Sequence, residues 1–356
     1  MTDIRNRTAA FCERHGLRVP VLLAPMAGAC PPSLSIAVAN GGGLGACGAL
    51  LMKPAEIAAW AAEFRAQSTG TFQLNLWVPD PEPVRDTEHE ARVRSFLSDW
   101  GPPVPPEAGD AAPLDFVAQC EALLDAHPPI VSSVMGPYPP HFVSKLKARG
   151  ITWFANVSTV AEATAAEAAG ADVVVAQGME AGGHRGCFDS RLAEAQQVGL
   201  FALLPAVVDA VRVPVVATGG IADPRGVAAA FMLGASAVQV GTGFLRCPES
   251  RINQAWAEAL ARTPPEGTML TRAFSGRAGR SIATDYVRAA AAASAPRPAP
   301  YPVQRGLTAT MRQAAQQSGD VQRMQVWAGQ ASAMARAQPA GEVVDYLWNG
   351  AQKLMG

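Results

Sequence analysis

One histidine, His184, stands immediately behind paired glycines in QGMEAGGHRG (177–186), just past the apolar, β-branched run ADVVVA (171–176). Histidine titrates near neutral pH, which suits it to take or give a proton in a cleft. Glycine lets backbone pass close to a ligand. Arg185 follows and has two readings, an anchor for an anion or a cap on its own loop. Two more glycine clusters share this setting, for ATGGIADPRG (217–226) and VQVGTGFL (238–245) each end an apolar run. Small residues there expose backbone N–H groups, and a helix start favours an anion, so the pair suits a phosphate of either a substrate or a cofactor. Polar side chains complete the set. Asn75 and Trp77 lie two apart in QLNLW and so share a face; Gln177 closes one apolar run and Gln239 sits in another. Buried amides need partners, and a heteroaromatic ring edge with alternating donors and acceptors satisfies several at once.

The scaffold that must position these groups is legible as alternation. Strands are expected at Val21–Pro25, Leu44–Ala49, Phe72–Val78, Ile130–Met135, Ile151–Val157, Asp172–Ala176, Val215–Thr218 and Ala237–Val240. Helical spacing covers Ser33–Asn40, Pro54–Phe64, Pro140–Ala148, Val160–Ala169, Leu200–Val211 and Arg225–Leu233. Near-continuous apolar strands joined through helices mean a parallel sheet covered on its faces. Eight such units predict an α/β fold, a (β/α)8 TIM barrel with its active site at the C-terminal strand ends. A doubly wound open sheet would carry a glycine-rich dinucleotide turn after its first strand, and Pro25-Met26-Ala27-Gly28 is not one. A smaller, mostly helical domain is expected to be inserted after strand 8, over 247–325, with helices at Ile252–Arg262 and Asp285–Ala293. Residues 1–246 and 326–356 then form the barrel, Val326–Met355 supplying a closing helix. The proline-rich stretch 79–114, with a helix around Glu88–Trp100, reads as a lid over the mouth or as a solvated loop.

Composition removes several function classes. The 356 residues are 49% hydrophobic and 17% charged with a net charge of −1, so a large core is expected and neither nucleic acid nor an anionic membrane is a natural partner. The first twenty residues, MTDIRNRTAAFCERHGLRVP, contain no apolar core of a secretory signal. No stretch approaches the ~20 apolar residues of a spanning helix. Cys12, Cys30, Cys47, Cys120, Cys187 and Cys247 are scattered without a CxxC pair and read as reduced thiols of a cytoplasmic protein, Cys187 standing out for its closeness to His184. His15, His89, His127 and His141 have no metal spacing and read as ordinary surface or satisfied histidines, so no metal is expected. Lys53, Lys145, Lys147 and Lys353 lie away from the expected strand ends, which disfavours a Schiff-base lyase or isomerase.

The sequence resembles the nitronate monooxygenases, formerly called 2-nitropropane dioxygenases. The resemblance spans the chain and rests on LAPMAG at 23–28, NLW at 75–77, QGMEAGGHRG at 177–186, ATGGI at 217–221, QVGTGF at 239–244, FSGRAGR at 274–280 and WAGQ at 327–330. It implies noncovalently bound FMN, with Met26, Asn75, Gln177, Gly182, Gly219, Gly220, Gln239, Gly241 and Thr242 as its contacts, the glycine-rich members serving the phosphate. It implies His184 as the catalytic residue, with Tyr301 and Arg185 as further candidates for contact with substrate. The implied reaction oxidises alkyl nitronates, and neutral nitroalkanes, with O2 to carbonyl compounds and nitrite. A homodimer is compatible with the resemblance. NAD(P)H-dependent enoyl-acyl carrier protein reductases and quinone reductases share the barrel and a similar EAGGH loop, and they form the alternative. The run SSVMGPYPP (132–140) and Cys187 after HRG depart from the commonest family pattern and bear on the choice of substrate.

Overall fold

A computed structural model describes residues 2–356. Among them eleven strands form: β1 (Val21–Leu23), β2 (Gly45–Gly48), β3 (Phe72–Trp77), β4 (Ile130–Val134), β5 (Thr152–Val157), β6 (Val173–Gln177), β7 (Gly183–His184), β8 (Val215–Thr218), β9 (Ala237–Val240), β10 (Thr268–Thr271) and β11 (Gly279–Ile282). Eight of them make one parallel sheet in the order β1-β9-β8-β6-β5-β4-β3-β2. The sheet closes on itself through a parallel bridge between Leu22 and Leu44, where the Leu23 N–H donates to the Leu44 carbonyl at 2.9 Å. Helices follow most strands on the outside, so the expected TIM barrel is the fold.

The strands form because they are buried on both faces. All five residues of β6, VVVAQ, are buried, and each fully buried valine of that kind contributes roughly 1.5–3 kcal/mol. Inside the barrel, Leu22, Leu44, Ile130, Phe154, Val173, Val175, Val216 and Ala237 pack into one cluster with Phe11. Phe11 comes from a helix, Thr2–His15, that closes the N-terminal end of the barrel and that the charged sequence did not suggest.

The region after β9 is less purely helical than expected. Helices Gln254–Arg262, Asp285–Ala290, Val303–Leu307 and Ala309–Ser318 are present, but β10, β11 and β7 form an antiparallel sheet in the order β10-β11-β7. That sheet joins the segment after β9 to the histidine loop, with Gly279 opposite His184. The stretch after β3 forms the helix Thr87–Leu97, and Val93 and Leu97 pack with Phe274, Tyr286, Val287, Val303, Leu307 and Met311. Both excursions therefore share one apolar core above the mouth. The closing helix begins only at Ala340, directly after Pro339, and runs to Met355. Residues before it are irregular, and Trp327 bridges to Ser281 of β11. No helix among the described residues is long and apolar enough to cross a membrane.

Candidate active site

The loop that carries His184 is built by its neighbours. Gln177, at the end of β6, accepts from the Gly186 N–H at 2.8 Å and donates through Nε2 to the His184 carbonyl at 3.0 Å. Arg185 turns away from the mouth: its guanidinium is buried and donates to the carbonyls of Gly178 at 2.7 Å and Gln177 at 3.3 Å. This placement is that of a loop cap. At Gly182 a Cβ would lie 2.5 Å from the Gly329 backbone nitrogen, so only glycine lets this strand pass the WAGQ segment.

His184 is thereby held between two indoles. Its ring centroid lies 4.7 Å from Trp77 at the end of β3 and 4.7 Å from Trp327. Its Nε2 is 2.7 Å from Ser275 Oγ. The Ser275 hydroxyl itself donates to the Arg277 carbonyl at 3.2 Å, and its oxygen accepts from the Arg277 N–H at 3.3 Å. The proton arrangement that satisfies all three contacts at once has Nε2–H donating to Ser275 and leaves the Nδ1 lone pair free, and the tautomer is assigned on that basis. Burial, followed by the positive charges of Arg277 and Arg305, lowers the His184 pKa from 6.5 to about 3. The ring is therefore neutral, the form that can accept a proton.

It faces a cavity of about 410 Å³ at the C-terminal strand ends. Met26, Asn75, Gln177, Gly182, Gly219, Gly220, Gln239, Gly241 and Thr242 all line the same cavity as His184. Gly219 and Gly220 have φ of +110° and +69°, backbone that a side chain would strain. The N–H groups of Gly219, Gly220 and Gly241 donate to no acceptor among the described residues. Next to them, Asp223 already caps the helix Pro224–Met232 by accepting from the N–H groups of Arg225 and Gly226. The loop amides, rather than that helix start, are thus what an anion meets here.

The amide side chains are partly spoken for. Asn75 Nδ2 donates to the Ser132 carbonyl at 3.1 Å and to Ser132 Oγ at 3.0 Å, while Gln239 Oε1 accepts from Gln73 at 3.2 Å. Two buried side-chain nitrogens in the lining also have no partner among the described residues, Asn156 Nδ2 and Trp256 Nε1. Tyr301 lines an adjoining cleft rather than this cavity, with its ring 5.5 Å from Trp77. Cys187 is close to His184 in sequence only: it packs on Ala193 and Ala278, lines neither cavity, and burial raises its pKa. All six cysteines are free and buried. His15 is buried with Nε2 unpartnered, so it is neither a surface nor a satisfied histidine. Among the described residues no cluster of three or more His, Cys, Asp or Glu could hold a metal ion.

Reading residue by residue missed Ser275, Trp327, Arg305 and Asn156. Ser275 and Trp327 lie in the FSGRAGR and WAGQ runs, which are conspicuous as glycine-bearing segments but carry no strand or helix period. Nothing local in the sequence shows that Ser275, ninety-one positions beyond His184, returns to its ring.

A closed parallel barrel with a neutral histidine facing a cavity at its strand ends defines an enzyme of the TIM-barrel class. The chain belongs to the nitronate monooxygenase family, which it matches over residues 9–350. It is 37% identical to the nitronate monooxygenase of Paraburkholderia phytofirmans, across 98% of this chain and 96% of that protein. It is also 37% identical to the nitronate monooxygenase of Pseudomonas aeruginosa, across 96% of this chain and 98% of that protein. Among solved structures it is similar to nitroalkane oxidase from Streptomyces ansochromogenes, with a TM-score of 0.87, 34% identity and coverage of 97% of this chain and 99% of that one. The protein is an oxidoreductase.

Proposed function

We propose that this protein oxidises alkyl nitronates, and neutral nitroalkanes, with O2 to carbonyl compounds and nitrite, using FMN. The observation that carries the reading is His184, neutral and orientated by Ser275, facing a cavity ringed by barrel strand ends. The lining fits a flavin mononucleotide. Unpartnered N–H groups at Gly219, Gly220 and Gly241 suit its phosphate, with Thr242 beside them. Met26, Asn75, Gln177, Gly182 and Gln239 would hold the rest, and the orphaned Asn156 Nδ2 and Trp256 Nε1 give a polar ligand further partners. Bound there, FMN supplies electron acceptance and the reaction with O2.

The remaining work falls to the chain. His184 Nδ1 takes the α-proton of a neutral nitroalkane, a step for which a positioned base is worth about 10²–10⁴-fold. Ser275 holds the tautomer that leaves the Nδ1 lone pair free. Trp77 and Trp327 flank the ring and restrict its orientation. In this reading residues 1–246 with 326–356 form the FMN-binding barrel and 247–325 the substrate cap.

Anaerobic mixing of the purified, flavin-loaded protein with ethyl nitronate, and separately with NADH or NADPH, tests this directly. Bleaching of the flavin absorbance by the nitronate, followed by nitrite release when air is admitted, is the expected result. Bleaching by a nicotinamide alone would move the protein to the reductase branch.

A further inference from the structure

The loop that carries His184, residues 178–187, is irregular apart from the two residues of β7, so its carbonyls need partners from elsewhere. Buried arginines supply several of them. Arg185 serves Gln177 and Gly178, Arg280 Nε donates to the Met179 carbonyl at 2.9 Å, and Arg277 Nη2 donates to that of Cys187 at 3.0 Å. Arg277 also lines the adjoining cleft and pairs with Asp80, whereas Arg280 lines neither cavity.

Arg280 stands where three segments meet. In β11 it lies opposite Gly183, the residue before His184. Its carbonyl accepts from the Ala328 N–H at 3.2 Å, one residue past Trp327. Its guanidinium reaches Met179 and, through Nη1, Thr268 Oγ1 of β10 at 3.1 Å. At the preceding residue, Gly279, a Cβ would lie 2.9 Å from the Trp327 ring and 3.1 Å from the Gly183 carbonyl. This strand therefore touches both the backbone leading into His184 and an indole that flanks its ring.

An apolar side chain could fill such a space without the cost of burying a cation. Arg280 is buried, and a second buried guanidinium, Arg185, lies within its electrostatic reach. Neither makes an ion pair among the described residues, and their hydrogen bonds end on carbonyl and hydroxyl oxygens. Glu180, whose charge acts on both, is committed to the Leu200 N–H at 2.9 and 3.1 Å. The loop carbonyls are thus what hold these charges, through bonds stronger than neutral ones. A planar guanidinium bridging β10 and the loop also fixes their separation.

We propose that Arg280 is a positioning residue through which the antiparallel sheet holds the His184 loop, keeping Nδ1 aimed at the α-carbon of a neutral nitroalkane. This deepens the oxidation reading and rests on it. Loss of the clamp should impair proton removal more than the oxidation that follows.

The test uses flavin-loaded wild type, Arg280→Met, Arg280→Lys and Thr268→Val, the last removing one partner of the guanidinium without altering β11. Turnover of nitroethane is compared with that of pre-ionised ethyl nitronate, and amide hydrogen exchange across 178–187 is read by mass spectrometry. Arg280→Met should lose about tenfold on nitroethane, the order of one buried charge-assisted hydrogen bond, and far less on the nitronate. Exchange in the loop should quicken while that of the barrel strands stays at the wild-type rate. Arg280→Lys, which keeps a charged donor, should recover part of both, and Thr268→Val should show a smaller loss of the same kind. Should Arg280→Met fail to fold, the other two variants carry the same comparison. Equal losses on both substrates, faster exchange throughout the barrel, or wild-type behaviour in every variant overturns the clamp. Loop exchange that depends on Arg280, in a protein that oxidises neither substrate, would support the clamp and overturn the oxidation reading.

Discussion

Two histidines with lowered pKa values sit at opposite ends of this barrel, His15 buried and His184 half-buried, and only His184 faces anything it could act on. His15 ends the helix beneath the barrel, its ring 4.6 Å from Phe11 and 5.2 Å from Phe154. Its Nε2 is buried without a partner, and burial first, then the charge of Arg14, lowers its pKa to about 4. His184 at the mouth is lowered further, to about 3, again chiefly by burial. A depressed pKa therefore does not separate a site from packing. What separates them is the Ser275 contact and the open face toward a cavity.

If the mouth is the site and the base is packing, substitutions at the two ends should have different signatures. The largest effect is expected at the phosphate loop. Gly219→Val puts a branched side chain at a φ of +110°, with Ala181 backbone 3.1 Å from the new Cβ. The purified variant should retain at least tenfold less FMN per protein and lose turnover in proportion; full flavin content would remove Gly219 from the cradle. Next, Ser275→Ala frees the His184 ring to take either tautomer and should lower nitroalkane turnover by about tenfold, the order of one buried hydrogen bond to a functional group. Ser275→Thr should restore most of it, whereas equal losses in both variants would indicate damage to packing rather than to the tautomer.

The smallest effect belongs to the base. Unfolded His15 binds a proton below about 6.5 while the folded form does so only near 4, so between those values the unfolded state holds more protons and wild-type stability falls as pH falls. His15→Leu removes that slope. Its stability relative to wild type, measured by urea unfolding, should be higher at pH 5 than at pH 8 by on the order of 1–2 kcal/mol. Comparing the two pH values cancels the change in packing, and turnover should stay at the wild-type level. An identical difference at both pH values would mean that His15 is not held neutral.

The barrel was legible because its strands are buried on both faces, and such strands show as plain apolar runs. β6 and β8 were bounded to within a residue or two. Most of the ring of cavity residues was legible for a related reason, since amides and glycines are conspicuous where apolar residues are expected, whereas Met26 came only from the family resemblance. The cap sheet was not. β11 reads GRSI, with Arg280 and Ser281 buried on partners that the sequence does not place beside them. The helix Thr2–His15 was equally silent, because its buried side, Thr8, Phe11, Cys12 and His15, carries no apolar stripe. Arg305 could be seen as a charge, but nothing in the sequence places it at the mouth within electrostatic reach of His184.

The claim that His184 is the base is tested most directly by a ratio. Oxygen-dependent nitrite release should be measured from neutral nitroethane and from pre-ionised ethyl nitronate, in wild type and in flavin-loaded His184→Asn. A base is needed only by the neutral substrate, so nitroethane turnover should fall by about 10²–10⁴-fold in the variant while the nitronate loses far less. Equal losses on both substrates, or undiminished turnover of nitroethane, would contradict the assignment of His184 as the proton acceptor.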